Sequence, residues 1–148
     1  MARTLWNAAD RESLLARFGR LSPDAVPKWG SLDAPRMLTH VTDAIRASMG
    51  EVSVAPVRGP LEHWPLNTLV MFYLPWPKGA PTAPELLQRK PTAWAGEVDT
   101  LRATMDRFAA RDANGDWSRH LAFGNLTGAQ WGRLMYRHSD YHLGQFRT

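Results

Sequence analysis

His138 and His142 stand four residues apart in the segment RHSDYHLGQF. On a helix, that spacing projects two imidazoles side by side from consecutive turns, where both can grip one ion. At about 100° per residue, the same helix gathers Thr127, Trp131, Leu134, His138, His142 and Gln145 into one narrow stripe, with Arg133, Asp140 and Arg147 opposite. Both rings therefore belong to the buried face. An unpaired buried polar group costs about 1–3 kcal/mol, and a metal ion would satisfy one nitrogen of each ring. The competing reading is that both are hydrogen-bonded core histidines in a metal-free protein.

A third imidazole belongs to an earlier helix, whose main apolar stripe is Leu38, Val41, Ile45 and Met49. His40 lies at the edge of a flank made by Met37, Ala44, Ala47 and Ser48, where small neighbours leave room around it. In a bundle, that flank can face the last helix across an interior cavity and deliver His40 to the same ion. The chain has no cysteine, so disulfides, thiolate ligands and a cysteine nucleophile are excluded, and any metal must sit on nitrogen or oxygen. Three neutral imidazoles describe an open site that keeps coordination positions for water or substrate. Gln145, one turn beyond His142, is placed to hydrogen-bond a bound water or substrate, or else to cap the helix. Asp43 leans towards the polar face and reads as a solvated carboxylate rather than a partner for the His40 ring. Arg137 reads as a solvated flank. Trp29, Trp64, Trp76 and Trp131 are candidate pocket walls, with core placement as the alternative. His63 and His120 fall in predicted loops and read as surface or turn hydrogen-bonding residues.

The elements that must position these residues follow from capping and periodicity. Asn7 with Asp10 marks the start of a first helix carrying Leu14, Leu15, Phe18 and Leu21. Asp33, with Pro35 tolerated in the first turn, starts the second, which should end near Gly50. Residues 51–62 read as loop, and the apolar run 66–74 reads as a short helix. Eight of the eleven prolines fall between Pro56 and Pro91, and the stretch PWPKGAPTAPEL, residues 75–86, is expected to be an ordered connection that walls off a pocket. Trp94, Val98, Leu101, Met105 and Phe108 follow the 4-3-4-3 seam of a bundle helix that ends before Asn114. The last helix starts after Thr127 and runs to Phe146. With no alternating strand pattern, the expected fold is all-α, a four-helix bundle in one domain spanning residues 1–148.

Composition sets the outer bounds. A chain of 148 residues, 44% hydrophobic and 22% charged, with seven tryptophans, has the makings of one substantial core. Its N-terminal segment lacks the apolar run of a secretory signal, and no apolar stretch reaches membrane-spanning length, which makes a cytoplasmic location the expectation. The net charge of +4 comes from scattered basic residues, and no Lys/Arg cluster interleaved with aromatics points to nucleic acid.

MLTH at residues 37–40, the proline-rich 75–86 and HLAFGNLTGAQWGRLMYRHSDYHLGQF at residues 120–146 together resemble the DinB-like superfamily, in particular its branch of small bacterial proteins with a domain of unknown function. The resemblance runs over residues 11–146. It implies a four-helix bundle whose metal ligands are His40, His138 and His142. Two positions depart from the family pattern: Tyr141 stands where a histidine is frequent, and His120-Leu121 where His-Pro is frequent. Tyr141 removes a fourth imidazole from beside the metal and offers a phenol that donates a proton or closes the pocket mouth. The resemblance further implies a metal-dependent enzyme, with zinc or nickel as the ion, that either transfers a low-molecular-weight thiol to a small electrophile or hydrolyses its substrate. Tyr141 and Gln145 are its candidate catalytic groups. A non-catalytic metal-binding or stress-response module is the alternative, and a homodimer is the expected assembly if there is one.

Overall fold

Asn7 closes the irregular N-terminal stretch by accepting the Asp10 N–H at 3.0 Å, and α1 (Ala8–Arg20) follows with Leu14, Leu15 and Phe18 turned inward. This computed structural model describes residues 2–148. Helix α2 (Ala34–Ser48) begins at Asp33, whose carboxylate accepts the Arg36 N–H, with Pro35 in its first turn. The short α3 (Leu66–Phe72) and then α4 (Trp94–Ala109) come next. Helix α5 (Gly128–Gly144) opens with a reciprocal cap in which Thr127 serves the Gln130 N–H and the Gln130 side chain serves the Thr127 N–H. That Thr-x-x-Gln signal was present in the sequence and sharpens the start of the helix. Among the described residues there is no β-strand, and no helix is long and apolar enough to cross a membrane.

Helices α1 and α2 each pack against both α4 and α5 around a core that includes Phe18, Met37, Leu38, Ile45, Leu101, Met105, Phe108 and Leu143. Alternation of that kind places α2 directly beside α5, the adjacency that a shared site between His40 and the last helix requires. The short α3 lies on the other side of α5. Its outer face leaves Leu66, Leu69 and Tyr73 largely exposed.

Two expectations are corrected here. Asp43 is not solvated: the whole run from Met37 to Ile45 is buried, because residues 84–97 cover the side of α2 that periodicity marks as polar. Its carboxylate pairs with Arg46 at 3.0 Å and Arg89 at 3.1 Å, and Arg89 reaches on to buried Glu97 at 2.9 Å. Arg137 is not a free flank either. Its guanidinium donates to the carbonyls of Val70, Met71 and Leu74, capping the end of α3, and stacks over Trp76 at 4.4 Å.

The proline-rich connection is ordered by such clamps more than by its own secondary structure, which amounts to 3-10 turns at Pro60–Glu62 and Pro84–Leu86. The Trp76 indole N–H donates to Val70 O at 2.8 Å, and the Tyr141 hydroxyl donates to Pro77 O at 3.0 Å. Together they lay residues 76–86 across one end of α2 and α5 as a wall.

Candidate metal centre

The wall and the two helices, with residues 50–54 and 118–123, line an open cavity of about 630 Å³. His40, His138 and His142 meet on its surface, and one ring nitrogen from each lies within 4.8 Å of the other two. The ring centroids are 4.6–4.9 Å apart in edge-to-face arrangements. Periodicity therefore put His138 and His142 on the correct face of α5, and the adjacency of α2 brings His40 to them.

Hydrogen bonds on the outer side of two rings decide where the inner lone pairs are. His40 Nδ1 lies 3.3 Å from the Leu86 carbonyl, and His142 Nδ1 lies 2.8 Å from Gln145 Oε1. A carbonyl oxygen only accepts, and Gln145 presents its oxygen, so both Nδ1 atoms carry the proton and both Nε2 atoms carry a lone pair turned inward. His40 Nε2 stands 3.1 Å from His138 Nε2, while Nε2 of His142 meets no protein donor among the described residues. His138 Nδ1 is buried without a partner. The cluster is thus rich in acceptors and short of donors, which is the condition a cation relieves and a self-contained core network avoids.

Electrostatics act in the same direction. Burial pushes the His40 pKa down to about 4, with the neighbouring His142 adding to the shift and the Leu86 carbonyl opposing it. Burial likewise lowers His138 well below its ordinary value, reinforced by the other histidines, and lowers His142 against the opposing bond to Gln145. All three rings are held neutral at physiological pH, the form in which imidazole ligates a metal.

A family model described as a protein of unknown function (DUF1569) matches residues 75–148, half of the chain. The chain belongs to DUF1569. The matched region carries His138 and His142, the clamps of Tyr141 and Arg137, and the wall itself, whereas His40 comes from the half outside it. No curated protein and no solved structure matches this DUF1569 chain.

The remaining candidates divide by position. Gln145 is buried beside His142 and orients that ring, and Gly30 lies so close that a Cβ there would sit 2.6 Å from Gln145 Nε2, at a backbone φ of +91°. Tyr141 lines the cavity, but its hydroxyl is engaged with Pro77 O, and burial raises its pKa. Trp76 and Trp131 are walls of the cavity. Trp64 is 79% exposed and is not one, and Trp29 packs outside the lining against the Tyr141 ring at 5.2 Å. His63 is exposed, as expected, whereas His120 is half-buried on the cavity lining, and its turn hydrogen bonding is as read. Sequence reasoning missed the Leu86 carbonyl, which no residue type can signal. It also missed the Asp43–Arg89–Glu97 network, whose charges look like any solvated set.

Proposed function

We propose that this DUF1569 protein is a DinB-like four-helix bundle that holds one divalent transition metal, zinc or nickel, on His40, His138 and His142 and acts on a small molecule in the adjoining cavity. The observation that carries the reading is the convergence of three neutral imidazole nitrogens, two with lone pairs fixed inward, on a cavity wall. The 3.1 Å approach of His40 Nε2 to His138 Nε2 fits two ligands sharing an ion at about 2.0–2.1 Å, which in a tetrahedral set stand roughly 3.3 Å apart. When bound, such an ion lowers the pKa of a coordinated thiol or water.

The chain's own residues supply the rest. Leu86 O and Gln145 hold two ligand rings in one tautomer and one orientation. Trp76, Trp131, Leu134 and Met135 line the cavity and limit water. The Tyr141–Pro77 bond keeps the wall across the mouth. A cavity of this size accommodates a drug-sized ligand, enough for a low-molecular-weight thiol and a small electrophile, and transfer of the thiol is the favoured reaction, with hydrolysis as the variant using water. Three protein ligands without a fourth favour catalysis over a structural site.

The test has two parts. Elemental analysis of untagged protein should find near-stoichiometric metal in the native chain and almost none in His142→Ala, with the helical circular dichroism kept; equal metal in both removes the site. Zinc- or nickel-loaded protein should then accelerate the consumption of glutathione, bacillithiol or mycothiol by 1-chloro-2,4-dinitrobenzene. Metal binding without turnover on any of the three thiols would assign the chain to the non-catalytic, metal-binding alternative.

A further inference from the structure

His120 lines the same cavity and belongs to no element of the metal centre. It sits in a tight loop: its backbone N–H donates to Gly124 O at 2.9 Å, and its Nδ1 accepts two backbone N–H groups, from Ala122 at 3.0 Å and Phe123 at 3.1 Å. Gly124 makes the loop possible, since its φ is +80° and a Cβ there would stand 2.8 Å from Glu62 O. Glu62 in turn is held by Arg119 and Arg58. The imidazole packs against Phe123, at a centroid distance of 4.6 Å, and Trp131, at 5.3 Å. Two donors on one nitrogen set the tautomer and, with the two aromatic contacts, hold the ring in one orientation.

With Nδ1 occupied as an acceptor, the proton must reside on Nε2. That Nε2–H has no protein acceptor among the described residues, and it is not among the polar atoms sealed from solvent. We propose that His120 is a substrate-binding residue: its Nε2–H is a fixed, neutral donor that takes a carbonyl oxygen of an otherwise apolar compound in the cavity. Burial, with the neighbouring Arg119, lowers its pKa to about 4, so the ring stays a neutral donor under physiological conditions. Phe123 and Trp131 beside it, with Leu134 and Met135 on the same lining, are apolar and suit the body of such a ligand, while Arg119 on that lining is engaged by Glu62 and the His120 carbonyl. A site built around one hydrogen-bonding group discriminates chiefly by that group, because a ligand lacking the matching atom leaves it unpaired. This rests on the reading of the cavity as a substrate site, and it adds the polar feature by which that substrate is selected.

The test uses the full chain dialysed against a chelator, so that a bound metal contributes nothing to carbonyl affinity. Acetophenone and α-methylstyrene share one shape and differ in C=O against C=CH2. Titrations followed by NMR should show acetophenone binding about fivefold more tightly, as one hydrogen bond allows. His120→Asn keeps an oxygen that can accept the Ala122 and Phe123 N–H groups but cannot reach the cavity, and in it the preference should vanish with zinc binding unchanged. Nitrogen-15 spectra of the native histidines should show His120 protonated at Nε2 only, with that signal shifting on addition of acetophenone. Equal affinities in the native chain, no acetophenone binding up to its solubility limit, a preference that survives His120→Asn, or protonation at Nδ1 would each overturn the proposal. Loss of zinc binding in the native chain would overturn the metal reading alone.

Discussion

Helix α2 carries two buried polar clusters only one turn apart, and they are solved in opposite ways. Asp43 is answered by charge: Arg46 and Arg89 meet its carboxylate, and Arg89 goes on to Glu97, so each buried acid faces a guanidinium within 3.1 Å. His40 is answered by neutrality. Its ring and those of His138 and His142 are kept uncharged, and two of the three are oriented from outside by Leu86 O and Gln145; His142 Nε2 and His138 Nδ1 meet no protein partner among the described residues. The buried acids are compensated within the chain, with Arg89 Nη2 alone left unpartnered, whereas the histidine cluster has acceptors that a cation can serve. The difference marks the ionic cluster as the fastening of residues 84–97 to the helices and the histidine cluster as the candidate metal site.

Acid acting on the buried histidine rings should give the largest effect. His40 and His120 are folded with pKa values of about 4 and unfold to about 6.5. Between those values the unfolded chain binds more protons than the folded one, so stability is full above pH 6.5 and falls as the pH drops towards 4. At about 1.4 kcal/mol per pKa unit, the metal-free protein should lose several kcal/mol over that window. Urea midpoints that stay flat from pH 7 to 4 would mean the rings are not held neutral.

Arg89→Met strikes the other cluster by leaving Glu97 and part of Asp43 without a countercharge, and it should cost about 3 kcal/mol. Chemical denaturation should show that loss while the folded variant still takes up zinc stoichiometrically. Metal loss equal to that of His142→Ala would merge the two clusters into one functional unit. Gln145→Leu should do the reverse on a smaller scale, lowering zinc affinity roughly 10–100-fold through loss of the acceptor that orients His142, as outer partners of ligating histidines generally do. Competition titration against a chromogenic chelator measures it, and an unchanged affinity would leave Gln145 as helix-end packing only.

Much of this was legible from local rules. Asn7, Asp33 and Thr127 are caps, and the apolar spacing after each marks a helix whose inward face is set by its own residues. The i, i+4 placement of His138 and His142 on such a face needs no tertiary information, nor does the exclusion of sulfur ligands by a chain without cysteine. The residues that failed were those whose environment another segment creates. Asp43 looked solvated because periodicity sees one helix at a time and not the residues 84–97 laid over it. Arg137 looked free because its acceptors are carbonyls at the end of α3, and the place of His120 on the cavity lining was hidden because Trp131, which half-covers it, lies on another element. What the sequence determined alone was therefore which atoms face inward along each helix, a property of local geometry. Only the tertiary structure decided which helices become neighbours and what covers them. That choice depends on contacts between residues distant in the chain, and it alone brings His40 to the pair on α5.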